Sequence, residues 1–186
     1  MPRDLVRFFL ALTAPEYQRT NFTRQALREV TDQRLVEPWN ALAEAISLLM
    51  AGRAGTTLAT TPAGRARAGL VLSRLRGCYE LGTYSIARAA DTIAGQLARL
   101  RRAAEDGTDQ PGDLLLEVRT LLAGAAPILT GLAEQAIAAG LELDLTAEPA
   151  GTVPAFELPR LALHNDTPES RAAELLTRTP ALDGAV

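Results

Sequence analysis

Cys78, Tyr79, Glu80 and Tyr84 bring a thiol, two phenols and a carboxylate into one short stretch of the chain. Such groups could attack an electrophile or move a proton, provided that they converge. On a helix, at 100° per residue, they do not: Cys78 and Tyr79 turn toward the apolar stripe, and Glu80 and Tyr84 toward the opposite face. A nucleophilic Cys also needs an imidazole or cationic neighbour, and the sole His lies far along the sequence. Cys78 therefore reads as a small buried hydrophobe, with Tyr84 and Glu80 left as weak proton-transfer candidates.

That His, His164, is the third weak catalytic candidate. It lies in Arg160-Leu-Ala-Leu-His164-Asn165-Asp166, and a lone His can act as a general base when a carboxylate orients it. Adjacent residues rarely face one another, however, and Asp166 suits the cap of a following helix. A turn before a short helix is the simpler reading.

A different chemistry is suggested by Arg67, Arg74, Arg88 and Arg99, which fall along one flank of a long helical pattern beside its apolar stripe. Guanidinium groups present a planar fork matched to carboxylate, sulfate or phosphate. Arg119 falls at the edge of another apolar helix face, where a charge needs a partner. Arg67, Arg74, Arg88 and Arg119 are thus candidates to hold a small anion between helices. The competing reading is a solvated, ion-paired flank whose aliphatic stems cover apolar surface.

Metal and nucleotide signatures are missing. There is no Glu-x-x-His or His-x-x-x-His, no Gly-x-Ser-x-Gly, and Gly52-Arg-Ala-Gly55 lacks the Lys-Ser or Lys-Thr of a phosphate loop. We expect no metal and no cofactor. The net charge of −3, with both signs interleaved, excludes a dedicated duplex nucleic-acid binder. One Cys permits no intrachain disulfide and suits a reducing, cytoplasmic setting. The N-terminal apolar run is cut by Arg7 and is shorter than a secretory core, and no uncharged apolar stretch approaches the roughly 18 residues of a membrane span.

These groups must be positioned by helices. Among 186 residues the apolar content is rich in the helix formers Ala and Leu, while aromatics are 4%. All 19 basic residues are Arg, which reads as the codon bias of a GC-rich bacterial genome. Leu5, Phe8, Phe9 and Leu12 predict a first helix ending before Pro15; Phe22, Ala26, Leu27 and Val30 a second; and Trp39, Leu42, Ile46 and Leu49 a third that starts at Glu37-Pro38. From about 65 to 105, Val71, Leu75, Cys78, Gly82, Ile86, Ala89, Ile93, Leu97 and Leu100 keep to one narrow arc. One continuous helix of roughly 60 Å is the simplest account, and a break near Gly77 or Gly82 the alternative. After the turn cluster at 105–112, a helix over 113–141 should run antiparallel to it, kinked at Pro127. Beyond Glu142, Pro149, Pro154 and Pro159 forbid a long helix and predict an extended arm, with a short helix from Asp166 to Arg178.

The expected fold is all-α: an antiparallel helical bundle over 1–141 with two long core helices, and an extended Pro-spaced C-terminal arm over 142–186, in a single domain. Two functions follow. One is an interaction or assembly protein acting through helix docking, with itself as a homo-oligomer or with a partner protein. The other is a small enzyme or enzyme subunit binding an anionic substrate in the Arg-lined pocket.

Overall fold

The computed structural model of the chain describes residues 2–14 and 22–161. It is mostly helical, with one small two-stranded sheet. Helix α1 (Arg3–Leu12) buries Leu5, Phe8 and Phe9. Helix α2 (Arg24–Thr31) is capped by the Thr23 side chain, which accepts a bond from the Ala26 N–H. Of its expected stripe only Leu27 is buried; Phe22 is exposed and stacks edge-on against Phe9 at 5.7 Å.

No loop separates α2 from α3 (Glu37–Met50): a π-helical turn over Asp32–Val36 joins them. Pro38 has no N–H to return to the carbonyl of the preceding turn, and the chain widens there rather than ending. Helix α3 closes in a loop where Gly52 and Gly55 take φ of +74° and +73°, a left-handed conformation that side chains disfavour. Strand β1 (Thr57–Ala59) then pairs antiparallel with β2 (Thr152–Pro154), setting Leu58 opposite Val153.

The long pattern over 65–105 divides into two helices. Helix α4 (Pro62–Tyr79), capped by Thr61, ends at Glu80, whose ψ of 140° leaves the helical region. The chain turns over 80–85, and α5 (Ile86–Asp106) starts afresh with Ser85 accepting from the Arg88 N–H. The Ser85 N–H reaches back to the Cys78 carbonyl at 3.0 Å and closes the turn. Gly77 stays inside α4, whereas Gly82 lies in the exposed turn and is not at a helix interface. The arc survives the break because both helices direct it inward: Val71, Leu75, Cys78, Ala89, Ile93, Leu97 and Leu100 are all buried.

The pattern over 113–141 divides too, into α6 (Pro111–Ala125) and α7 (Thr130–Ala138). Pro127 sits in the gap, so the expected kink is an interruption. What makes it tolerable is α1. Arg7 donates to the carbonyls of Pro127 (2.7 Å) and Ile128 (3.0 Å), and the buried Asp4 carboxylate accepts from the N–H groups of Gly131 (2.9 Å) and Leu132 (2.7 Å). One turn of α1 thus satisfies the end of one helix and the start of the next. We expect Asp4→Ala to cost about 1–2 kcal/mol, read by urea unfolding, because a cap in a buried setting lies at the upper end of the usual range.

Side-chain bonds fix the helix directions. Thr61 and Arg67, early in α4, meet Asp113 and Glu117, early in α6, while Tyr79 at the end of α4 donates to the Gly124 carbonyl near the end of α6 at 2.8 Å. Helices α4 and α6 are therefore parallel. Gln96 and Arg99, late in α5, also meet Glu117, so α5 runs antiparallel to both. Small residues permit the α4–α6 approach: a Cβ added at Gly124 would lie 2.2 Å from Leu75 Cδ1.

Residues 141–161 form no helix and are held largely through their own backbone. Arg119 donates to the Glu142 carbonyl, Arg76 to that of Leu145 and Trp39 Nε1 to that of Pro159, and the Asn40 amide both donates to and accepts from the Leu161 backbone. Val153, Phe156, Leu158 and Leu161 bury their side chains in the same core as the helices. The short helix expected over 166–178, and His164, lie outside the described residues. Among the described residues no helix is long and apolar enough to cross a membrane.

Candidate anion cleft

The turn at 80–85 rearranges the arginines that the sequence placed along one flank. Folding α5 back on α4 pairs the flank's outer members at one end of the hairpin and its inner members at the other. Arg67 and Arg99 meet at the far end, on Glu117; Arg74 and Arg88 line one cleft beside the turn.

The near end is a cleft of about 390 Å³, open to solvent, whose walls include Ser73, Arg74, Glu80, Thr83, Arg88 and Thr92, with Gly77 and the buried Cys78 also lining it. Helix α4 supplies one wall, α5 the other and the turn the end. Arg88 is steadied by its own bond to the Thr83 carbonyl, and the Thr83 hydroxyl donates to the Gly77 carbonyl. Arg74 is exposed and carries no ion pair among the described residues, and Glu80 likewise. The Thr92 hydroxyl donates to the Arg88 carbonyl at 2.7 Å, so the cleft can offer a ligand the Arg74 fork, the remaining donors of Arg88, the Ser73 hydroxyl, two threonine oxygens as acceptors and one carboxylate. Gly77 widens it, since a Cβ there would meet nothing within 4 Å.

Arg67 is committed elsewhere. It donates to Glu117 (2.8 Å) and Asp109 (3.0 Å) and stands 3.8 Å from Asp113; Arg99 donates to Glu117 and, at 3.2 Å, to Asp109. Glu117, which is 0% exposed, also accepts from Gln96, and Asp113 accepts from the backbone and hydroxyl of Thr61, each at 2.6 Å. The Glu117 hydrogen bond holds the Arg67 guanidinium above its ordinary range against the opposing cost of burial, with the Glu117, Asp109 and Asp113 charges adding to it. Two cations and three carboxylates thus close on one another and tie α4, α5 and α6 together. Among the described residues no group of His, Cys, Asp or Glu is arranged to hold a metal ion.

Arg119 is half-buried on α6 and grips the Glu142 carbonyl at 2.9 Å; it borders a separate cavity of about 150 Å³ with Asp144 and Glu148. Of the four anion-binding candidates, then, Arg74 and Arg88 come together, and Arg67 and Arg119 stand apart. Glu80 joins the pair. Tyr84 is exposed in the same turn but is not on the cleft wall.

Tyr79, half-buried on Gly124, has its pKa raised from 10.0, first by burial and then by the neighbouring Cys78 and Tyr84. An acid whose folded-state pKa is raised keeps its proton in the fold while the unfolded chain loses it. Its contribution to stability is complete below pH 10 and is lost as pH rises beyond it. Tyr79→Phe should accordingly show a smaller drop in urea midpoint between pH 9 and pH 11 than the parent chain.

Several positions of the cleft and of the ion network escape the sequence reading, but one left a signal. Glu117 sits among Leu114, Leu115, Leu116 and Val118 on a helix buried on nearly every side, and a carboxylate so placed demands a cationic partner. The hydroxyls of Ser73, Thr83 and Thr92 left none, because their convergence depends on the turn. No protein-family model matches the chain, and no curated protein matches it.

Proposed function

We propose that the protein binds a small anion, of the carboxylate, sulfate or phosphate kind, in the cleft between α4 and α5. The supporting observation is that Arg74 and Arg88 line one opening while neither is ion-paired among the described residues. An Arg fork in a water-facing cleft binds such groups through charge-assisted, two-pronged hydrogen bonds. Glu80 provides a carboxylate on the wall, which keeps the alternative of an enzyme or enzyme subunit within the same reading. A single helical bundle, with 142–161 packed along it as an extended arm, is the framework of this reading, and a reducing, cytoplasmic setting suits the buried thiol of Cys78.

Thermal unfolding with sulfate, phosphate and small carboxylates tests the reading. At least one anion should raise the melting temperature in the parent chain, and Arg74→Ala or Arg88→Ala should abolish the rise while leaving the ligand-free melting temperature within a few degrees. An absence of any rise, or a rise unchanged in both variants, would contradict it.

A second reading, assembly with another copy of this chain, is favoured by apolar side chains in solvent. Leu81 is 100% exposed and Tyr84 60% on the turn, and Leu10, 52% exposed, borders a shallow groove with Ile86, Pro127 and Ile128. Isolated exposed apolar residues are ordinary, but a cluster marks contact surface. Light scattering across a concentration series should then show a dimer that Leu81→Asp weakens; a monomer at every concentration sinks this second reading.

A further inference from the structure

The cleft holds an unneutralised carboxylate as well as its two cations. Glu80 shares walls with Arg74 and Arg88, yet no ion pair links it to either. Opposite charges left apart on one small opening present a ligand with two poles, and a molecule carrying a single negative charge would use one pole and be repelled by the other. The Thr83 and Thr92 hydroxyls already donate their protons to the Gly77 and Arg88 carbonyls, so their oxygens can accept from an ammonium, and the Ser73 hydroxyl can serve either pole. A volume of about 390 Å³ lies within the range of small-molecule sites.

We propose that the ligand is a small zwitterion, an amino-carboxylate whose carboxylate lies on Arg74 and Arg88 and whose ammonium lies on Glu80. The assignment rests on the anion-binding reading and narrows it to a ligand class. Arg88 is the better-ordered half of the anionic pole, since its bond to the Thr83 carbonyl fixes part of its fork before a ligand arrives. Glu80 begins the same turn whose Thr83 N–H returns to the Glu80 carbonyl, so that both poles are referred to one short loop.

Matched ligands that differ only in the ammonium test the assignment: alanine against propionate, and glutamate against glutarate, titrated into the full chain and followed by backbone amide shifts of residues 73–92. The parent chain should bind each amino form about tenfold more tightly than its partner. Glu80→Gln should bring the two forms to near equality while leaving the binding of propionate unchanged or tighter. Gly77→Phe, which fills the cleft without altering charge, should abolish binding of all four. Equal affinity within each pair in the parent chain would overturn the zwitterion assignment and leave the anion reading standing. A preference that survives Glu80→Gln, or binding that survives Gly77→Phe, would place the ammonium or the ligand elsewhere and overturn it as well. No binding of any of the four would overturn this assignment, and the anion reading would then stand or fall on sulfate and phosphate.

Discussion

Replacing Arg67 and Arg99 together by Met should lower the free energy of unfolding by about 3–5 kcal/mol, the cost of stranding a buried charge. Glu117 is fully buried and accepts from both guanidinium groups and from Gln96. With the arginines gone, only the neutral amide remains to it. Met keeps much of each aliphatic stem in place, so the loss measures pairing more than packing. A compensating change distinguishes the two: adding Glu117→Leu to the double variant should recover much of the stability, since it removes the fully buried carboxylate left without its cations, while Asp113 keeps its bonds from Thr61. Urea unfolding of the three chains supplies the comparison. A double variant within about 1 kcal/mol of the parent would show that the network does not bear on stability, and would place it with ordinary surface pairs.

Trp39→Ala should cost about 3–5 kcal/mol, as is usual for emptying a large buried aromatic site. Trp39 is 2% exposed on α3, and its indole N–H holds the Pro159 carbonyl at 2.7 Å. Trp39→Phe keeps most of the packing and removes the donor, so it should cost roughly 1 kcal/mol beyond the change in volume. The two variants should also differ locally. Amide exchange over 153–161 should accelerate in Trp39→Phe while the exchange of α4 to α6 stays unchanged. Uniform acceleration across the chain would mean that the 153–161 segment and the helices open as one unit.

Much of the helical content was legible because burial requires a period near 3.6, and Val71 through Leu100 obey it on both sides of the turn. The same regularity concealed the turn. A stripe reports which face is buried and says nothing about whether the axis continues, so one continuous helix is its simplest account, and the alternative of a break near Gly82 is the one the structure takes. The local chemistry of the break was present in Ser85, a good N-cap, and in Gly82 and Thr83 before it, yet none of these interrupts the apolar spacing. Pro127 gave a clearer mark, but its consequence depended on Asp4 and Arg7, more than a hundred residues away, which make a full interruption tolerable.

The candidate site was legible in part for the same reason. Arg74, Arg88 and Glu80 could be named as anion or proton-transfer candidates from type and flank alone. Which arginines would meet could not be named, because folding back at 80–85 decides it. Arg67 is drawn to Glu117 by carboxylates on a helix whose contact with α4 was not foreseen, and Arg119 spends its fork on a backbone carbonyl. A charge inside an apolar run, Glu117, carried more information about structure than any of the arginines did.

The claim on which the rest depends is that the chain reverses between Tyr79 and Ile86, bringing Arg74 to Arg88. Spin labels on the exposed positions 70 and 95, with Cys78 replaced by Ala, report it directly through pulsed dipolar spectroscopy. Packed antiparallel helices lie about 8–10 Å apart axis to axis, so the labels should give a short separation, on the order of 20 Å or less once their tethers are included. A continuous helix would hold the same two positions roughly 38 Å apart, and a distribution centred there would contradict the hairpin, the cleft and the ligand assigned to it.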